Sequence, residues 1–396
     1  MIEKKQTNIV AILILLFSLS APPVYAELKV TRTQPTDILI DYHQYSTVFN
    51  AKFLACEIPY LTSEKLLYFD IDIPFNYQIQ SNIPTELRTE KYSGNTMLGI
   101  GAFFVVNRFG IGIKISFNPG KELSERSIRY DSGSVIEIAN IREKKTKFNV
   151  DAWLGFRIFD NLGIGFDLYY RTYYKAFNLS REYLPGPPPA SDDYWNIAEE
   201  SLFLGPSVIY QPFGFMHISY GMRFVFKRRL ESFIYEAQGF THFDNLLKLT
   251  FLPIQDILFI YVHALFSHPL SANYDDLIST PNTYTREQTI STAVFIDWWF
   301  LSKKMYIRAG GFFDYINRFK PENGKRSLYK PYNKMFESVF GFQFGYGYKV
   351  NEKFLFTIDI IFRRHRYENR STPSGEMEWF EKYNTWEVIF STRYKL

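Results

Sequence analysis

The chain has 396 residues, of which 19% are aromatic and 22% are charged, and its formal net charge is +4 at pH 7. The aromatic content excludes an intrinsically disordered chain, and the absence of repeated apolar runs of about 18 residues excludes a bundle of membrane-spanning helices. No block of like charge is long enough to indicate a nucleic-acid-binding tail, so no nucleic-acid partner is expected.

The N-terminus has the features of a secretory signal peptide. Lys4 and Lys5 precede an unbroken apolar run over residues 9–17, and Ala26 ends a cleavage site that follows two prolines. The apolar run is too short to span a membrane as a retained anchor. Residues 1–26 are therefore predicted to be a cleavable export signal. Cys56 is the single cysteine, which excludes an internal disulfide bond.

Residues 27–68 lack the clean alternation of the rest of the chain, and two interpretations stay open. The segment can fold inward as a plug or hatch, with apolar residues to pack and polar residues such as Lys52 and Glu57 to meet charges in a lumen. Alternatively, residues 36–43 and 47–60 can form an extra hairpin, which raises the strand count from fourteen to sixteen.

From Phe69 onward, apolar and polar residues alternate with a period of two. Residues 69–79 and 354–362 show this pattern, which puts one apolar and one polar face on an extended chain. Fourteen such strands are predicted, at 69–80, 95–107, 110–118, 147–159, 162–174, 201–211, 215–227, 244–252, 257–267, 288–300, 305–315, 335–349, 354–364 and 384–396.

The connections between these strands alternate between short turns and long loops. Short turns join antiparallel neighbours, so all short turns lie at one end and all long loops at the other. A strand of about 11 residues, tilted by about 40°, rises roughly 28 Å, which matches the hydrocarbon core of a bilayer. Residues 69–396 are therefore predicted to form an all-β, antiparallel up-and-down transmembrane barrel with short periplasmic turns and long extracellular loops.

Aromatic residues support this assignment because they concentrate near both ends of the strands. Two such bands are typical of the interfacial girdles of a membrane barrel. One band lies beside the short turns, at Phe159, Phe213, Phe215, Trp298, Phe300, Tyr348 and Phe354. The other lies at the opposite strand ends, at Tyr170, Tyr174, Phe226, Phe266, Tyr315, Phe336 and Trp386.

With its export signal, amphipathic strands, alternating loops and aromatic C-terminal strand, the chain resembles a porin-like bacterial outer-membrane β-barrel. In layout it is weakly similar to the FadL-type transporters of hydrophobic compounds, which have fourteen strands and an N-terminal hatch of about forty residues. The resemblance implies a bacterial outer-membrane location. Outer-membrane lipid and lipopolysaccharide are then the expected surroundings, and the C-terminal strand is expected to engage the barrel-assembly machinery.

Alternation also predicts which charged residues line the lumen, because charge in the span is tolerated only away from lipid. The candidates are Asp70, Asp72, Asp151, Arg157, Asp167, Arg171, Arg223, Arg308, Asp359 and Arg363. Acids and bases nearly balance, which argues against strong ion selectivity. A basic outer rim is predicted at the long-loop end, at Lys227, Arg228, Arg229, Arg364 and Arg366.

The expected function is a channel or diffusive transporter for an unknown small solute. A non-conducting surface or adhesin-like barrel is the first alternative, and a lipid-modifying enzyme is the second. His217 and His263 point inward by alternation, but no nucleophile–base–acid spacing accompanies them. No catalytic residue, metal ligand or cofactor is therefore predicted, and the chain is expected not to be an enzyme.

Overall fold

The computed structural model describes part of the chain. The described residues are 54–60, 65–83, 87–94, 96–118, 122–131, 134–183, 193–231, 235–254, 257–269, 286–301, 303–319, 334–351, 353–370 and 379–395. The predicted signal peptide, 1–26, and most of the predicted N-terminal segment, 27–68, lie outside them.

Within the described residues there is one 3₁₀ helix, Ala55–Tyr60, which we call the inner helix, and there are sixteen strands. The strands are Lys65–Ile83 (β1), Leu87–Gly94 (β2), Met97–Val106 (β3), Phe109–Phe117 (β4), Glu122–Asp131 (β5), Ser134–Phe159 (β6), Leu162–Tyr183 (β7), Asp193–Phe213 (β8), Met216–Glu231 (β9), Tyr235–Ile254 (β10), Leu258–Pro269 (β11), Arg286–Phe300 (β12), Met305–Phe319 (β13), Lys334–Lys349 (β14), Phe354–Arg370 (β15) and Trp379–Lys395 (β16).

The strands form one antiparallel sheet that closes on itself where β16 pairs with β1. Strands β2 and β3 keep a single register against β1, because Phe75 lies opposite Gly94 and Asp72 lies opposite Met97. They are two parts of one wall strand, and β4 and β5 pair in turn with the two halves of β6. The described residues thus form a closed fourteen-stranded barrel, as predicted.

All fourteen predicted wall strands are present, but several are longer than the alternation indicates. Strand β6 has 26 residues, β7 has 22 and β8 has 21. The sixteen-stranded alternative is wrong, because Ala55–Tyr60 form a buried 3₁₀ helix instead of part of a wall strand.

Short connections join the strands at one end of the barrel, which we call the short-turn end. In the turn between β3 and β4, Asn107 has a φ of 54°, a left-handed conformation that Asn adopts more readily than most residues. The opposite end, where the long connections lie, is called the long-loop end.

The wall has an apolar outer face and a buried inner face. On β14, Phe340, Phe342 and Phe344 are 58%, 42% and 48% exposed, whereas Val339 and Gln343, at alternate positions of the strand, are 0% and 1% exposed. Such a row of exposed rings is what a lipid-facing strand requires. Among the described residues no helix is both long and apolar enough to span a membrane.

Candidate functional site

The inner helix lies inside the barrel near the short-turn end, and every one of its residues is buried. Glycines on the wall make room for it. A Cβ on Gly165 would lie 2.2 Å from the Cys56 nitrogen, and a Cβ on Gly155 would lie 2.3 Å from the Ala55 carbonyl oxygen. Both distances are far below van der Waals contact, so a larger residue at either position would displace the helix or the wall.

Backbone groups of the inner helix are held by side chains of two neighbouring wall strands. The Ala55 N–H donates to Asp167 Oδ1 on β7 over 2.9 Å, and the Cys56 N–H donates to Ser207 Oγ on β8 over 3.2 Å. These bonds satisfy donors that a single helical turn leaves unpaired. They also fix the height of the helix in the lumen, because both partners are inward residues of the wall.

Glu57 adds a charged attachment to the next two strands. Its Oε1 accepts a hydrogen bond from Ser219 Oγ on β9 over 2.7 Å, and its Oε2 accepts one from Lys248 Nζ on β10 over 2.9 Å. Glu57 is 0% exposed and Lys248 is 3% exposed. An ion pair this buried is strongly sensitive to the loss of one partner, because the remaining charge is left without compensation.

Four aromatic side chains on the inward face of β1, β3, β6 and β7 form a row, which we call the inner aromatic row. Tyr68, Phe103, Trp153 and Tyr169 are 1%, 1%, 4% and 2% exposed, and successive ring centroids are 6.0, 5.5 and 6.0 Å apart. The row connects to the inner helix through Asp167: Trp153 Nε1 donates to Tyr169 Oη over 3.1 Å, and Tyr169 Oη donates to Asp167 Oδ1 over 2.9 Å.

Cations close over both ends of the inner aromatic row. The Arg393 guanidinium lies 5.3 Å from the ring centroid of Tyr68, and the Arg223 guanidinium lies 5.0 Å from that of Tyr169. Both arginines are nearly buried, at 8% and 5% exposure. Cation–π contacts of this kind are stronger in a desolvated site than at the surface.

Across the lumen, charged side chains are paired with one another. Arg308 donates from Nε and Nη2 to the two carboxylate oxygens of Asp297, each over 2.8 Å, and both residues are 0% exposed. Farther toward the long-loop end, Arg363 and Glu387 form an ion pair of 2.7 Å. The pairs neutralise charges that would otherwise be costly to bury.

The predicted lumen residues fall into three groups. Buried on inward positions of the wall are Asp167, Arg223, Arg308, Asp359 and Arg363. Half-buried are Asp72, Asp151, Arg157 and Arg171. For Asp70, on β1, the side chain lies outside the described part of the structure.

Of the predicted basic rim, Arg364 and Arg366 are exposed on the outward face of β15. The side chains of Lys227, Arg228 and Arg229 lie outside the described part of the structure. Sequence analysis selected charged side chains and so passed over Ser207, Ser219 and the inner aromatic row. These residues occupy the inward-facing positions of the period-two alternation on adjacent strands, and that alternation was the signal that could have found them.

Both inward histidines lie near Lys248 on β10: His263 is directly opposite Lys248 in the register of β10 and β11, and His217 is opposite Thr250, two residues farther along β10. His217 Nε2 is 3.0 Å from Gln211 Nε2, and the His263 ring lies 6.2 Å from that of Tyr261. Among the described residues, no group of three or more His, Cys, Asp or Glu side chains could hold a metal ion.

No protein-family model and no curated protein sequence match the chain. Solved structures do match. The toluene transporter TodX of Pseudomonas putida is 8% identical, with a TM-score of 0.50, over 87% of this chain and 92% of that chain. A deltaS2 mutant of TodX is 8% identical, with a TM-score of 0.51, over 87% and 93%. A FadL homologue from Pseudomonas aeruginosa is 12% identical, with a TM-score of 0.45, over 86% and 92%. Identities this low concern the fold alone, and in its fold the chain is similar to FadL-type transport barrels.

Proposed function

We propose that the protein is an outer-membrane channel or diffusive transporter for small solutes, with the inner helix as its plug. One observation carries the proposal: the inner helix lies within a closed barrel and is bonded to the side chains of four successive wall strands, β7 to β10. A fourteen-stranded backbone cylinder is roughly 28 Å across, which is wider than wall side chains alone can fill. A plug therefore decides whether solutes pass.

The plug can leave the wall without unfolding it. Its attachments are hydrogen bonds and one ion pair to side chains, whereas the wall is held by its own continuous backbone pairing from β6 to β16 and back to β1. Loss of the plug contacts leaves that pairing intact. An opening equilibrium of this kind needs no rearrangement of the barrel.

The remaining parts of the proposal concern location and surroundings. The apolar outer face and the fold shared with TodX support residence in the bacterial outer membrane, reached through the export signal at 1–26. Lipopolysaccharide and lipid are then its neighbours, and β16 is the strand offered to the barrel-assembly machinery. The proposed transport function also favours a role other than that of an enzyme.

Small apolar aromatic solutes are the class that the lumen supports best. The rings of the inner aromatic row are 1–4% exposed, so a solute would meet them only when the plug and the covering side chains move away. Aromatic pairs gain about 0.5–1.5 kcal/mol beyond burial of area. TodX, which shares this fold, is a toluene transporter. Uptake of toluene into vesicles that contain the protein, compared with uptake of arabinose, tests this assignment.

A disulfide bond between the plug and the wall tests the function directly. Ser207 Oγ accepts a hydrogen bond from the Cys56 N–H over 3.2 Å, so Ser207→Cys brings a second thiol close to Cys56. Under oxidation this variant should lose single-channel conductance in a planar bilayer and solute uptake into vesicles. Reduction with dithiothreitol should restore both.

Ser201→Cys is the matched control, because Ser201 is also buried and inward on β8. It lies about 20 Å farther along the strand, too far to bond with Cys56. Its conductance should not respond to oxidation. If the oxidised Ser207→Cys variant conducts as well as the reduced one, the inner helix is not the plug.

A surface-interaction role is the second candidate, and the length of the wall strands favours it. The 26 residues of β6 rise about 66 Å at a tilt of about 40°, which exceeds a hydrocarbon core of about 30 Å by more than twofold. Part of that wall therefore stands outside the bilayer. A wild-type barrel that never conducts, whatever the state of the plug, would favour this role over transport.

A further inference from the structure

The outward face of β15 and β16 carries a group of cations toward the long-loop end. On β15, Arg363 and His365 are buried on the inward face, whereas Arg364 and Arg366 are exposed on the outward face. Lys382 on β16 lies directly opposite Arg366 in the register of the two strands. We call Arg364, Arg366 and Lys382 the outer cationic patch.

The height of this patch is set by an aromatic cluster next to it. Phe342, Phe362 and Trp386 pack together on the same outward face, with ring centroids 4.7 to 6.2 Å apart. Aromatic clusters of this kind mark the boundary between hydrocarbon and headgroups. In the register of β14 and β15, Arg364 lies opposite Phe340 and Glu368 lies opposite Phe336 of the predicted outer aromatic band. The patch therefore lies at the level of that band, where the hydrocarbon core meets the headgroups.

The outer cationic patch brings like charges close together. Arg366 and Lys382 lie directly opposite each other across two strands, an arrangement that is destabilising for like charges. Glu368 forms an ion pair with Arg366 over 2.7 Å. An anion held between the two strands would add attractive contacts to both cations.

We propose that the outer cationic patch binds a phosphate group of lipopolysaccharide in the outer leaflet. Arginine guanidinium groups hold phosphate oxygens in a bidentate manner, and a lysine adds a compact charge. A lipid fits better than a free anion, because its acyl chains would lie on the aromatic cluster while its phosphate reaches the cations. The inference rests on the outer-membrane location in the proposed function, and it is independent of conduction.

The test compares the wild type with a variant in which Arg364, Arg366 and Lys382 are all replaced by Gln. Purified protein in neutral detergent is titrated with lipopolysaccharide, and the loss of the heat-modifiable folded band on gels gives the midpoint of unfolding. Lipopolysaccharide should raise the wild-type midpoint by several degrees. The variant should need at least tenfold more of it for the same shift.

The matched control replaces Lys303, Lys304 and Lys353, exposed cations at the short-turn end, with Gln. It should respond to lipopolysaccharide as the wild type does. Without lipid, the patch variant should unfold close to the wild-type midpoint, because it removes both a like-charge pair and the Arg366–Glu368 ion pair. Arg366→Lys should retain most of the response.

Three outcomes would overturn the proposal. An equal loss of response in the control would mean that net charge alone attracts the lipid. An equal effect from inorganic phosphate would mean that the patch binds the free anion instead of a lipid. An unchanged response in the patch variant would mean that lipopolysaccharide binds elsewhere. A failure of conduction would bear on the channel proposal and would leave this one standing.

Discussion

The Glu57–Lys248 pair offers the sharpest test of how the plug is held. Lys248→Met leaves the Glu57 carboxylate buried, with the hydrogen bond from Ser219 Oγ to Glu57 Oε1, 2.7 Å long, as its contact with the wall. Removing one partner of a buried ion pair typically costs about 3–5 kcal/mol. The cost applies only while the inner helix is in place, because Glu57 regains solvent when the helix leaves the wall.

That free energy translates into a large change in opening. At about 1.4 kcal/mol per factor of ten, 3–5 kcal/mol shifts the equilibrium toward the open state by roughly one hundredfold to several thousandfold. Lys248→Met and Glu57→Gln should each raise the open probability in planar bilayers. The unit conductance of the open channel should stay nearly the same in Glu57→Gln, which leaves every residue of the wall unchanged.

The double variant separates loss of the pair from general damage. With both charges removed, no uncompensated charge is left in the closed state. The double variant should therefore have a lower open probability than either single variant. A coupling energy of about 1–3 kcal/mol between the two sites is the expected signature of direct contact. The reasoning is refuted if the single effects simply add, or if neither single variant changes the open probability.

Three further outcomes follow from the same geometry. Gly165→Ala puts a Cβ 2.2 Å from the Cys56 nitrogen. This overpacking should destabilise the closed state by about 1–3 kcal/mol and raise the open probability in bilayer recordings. Gly311→Ala, whose Cβ meets its nearest atom at 3.6 Å, should behave as the wild type. Burial, followed by the carboxylates of Glu57 and Asp167, raises the pKa of the Cys56 thiol well above its ordinary value. A raised pKa means less thiolate at a given pH, so maleimide at pH 8 should label Cys56 in the folded barrel far more slowly than in urea, and equal rates would show that the inner helix is not buried. Ile358→Arg puts a cation on the lipid-facing side of β15. It should lower the free energy of unfolding in bilayers, measured by urea titration, by about 2–4 kcal/mol. An unchanged free energy of unfolding would show that this face is not in lipid.

The wall was predictable because its signals are local. Within the bilayer one face of each strand meets lipid and the other faces inward, so period-two alternation is imposed on segments such as 354–364. Beyond the bilayer both faces can meet water, and that constraint disappears. The outer half of β6, from Ser134, accordingly lacks sustained alternation: it has the adjacent apolar residues Val135 and Ile136 and a charged run at 142–145, and it was left out of the predicted strand.

A segment folded inside the barrel could be foreseen as a possibility, but the contacts of the inner helix could not. Its single helical turn has no periodicity to detect, and its partners are far away in the chain: Glu57 and Lys248 are 191 residues apart. Inward glycines such as Gly165 are a local hint, because a strand residue without a side chain leaves room on the inward face of the wall. What they make room for became visible only once the wall was closed around Ala55–Tyr60.

The pairing of β1 with β16 has a consequence for how the protein is made. This seam joins Tyr68 to Lys395, so the last residues of the chain are required before the wall can shut. Until then β1 and β15 each present an open edge, which is a template for pairing with other chains. The inner helix immediately precedes β1 along the chain, so it is held at the mouth of the barrel when the seam closes. A chain without β16 would leave the edges of β1 and β15 unpaired, and it should therefore aggregate instead of forming a closed wall.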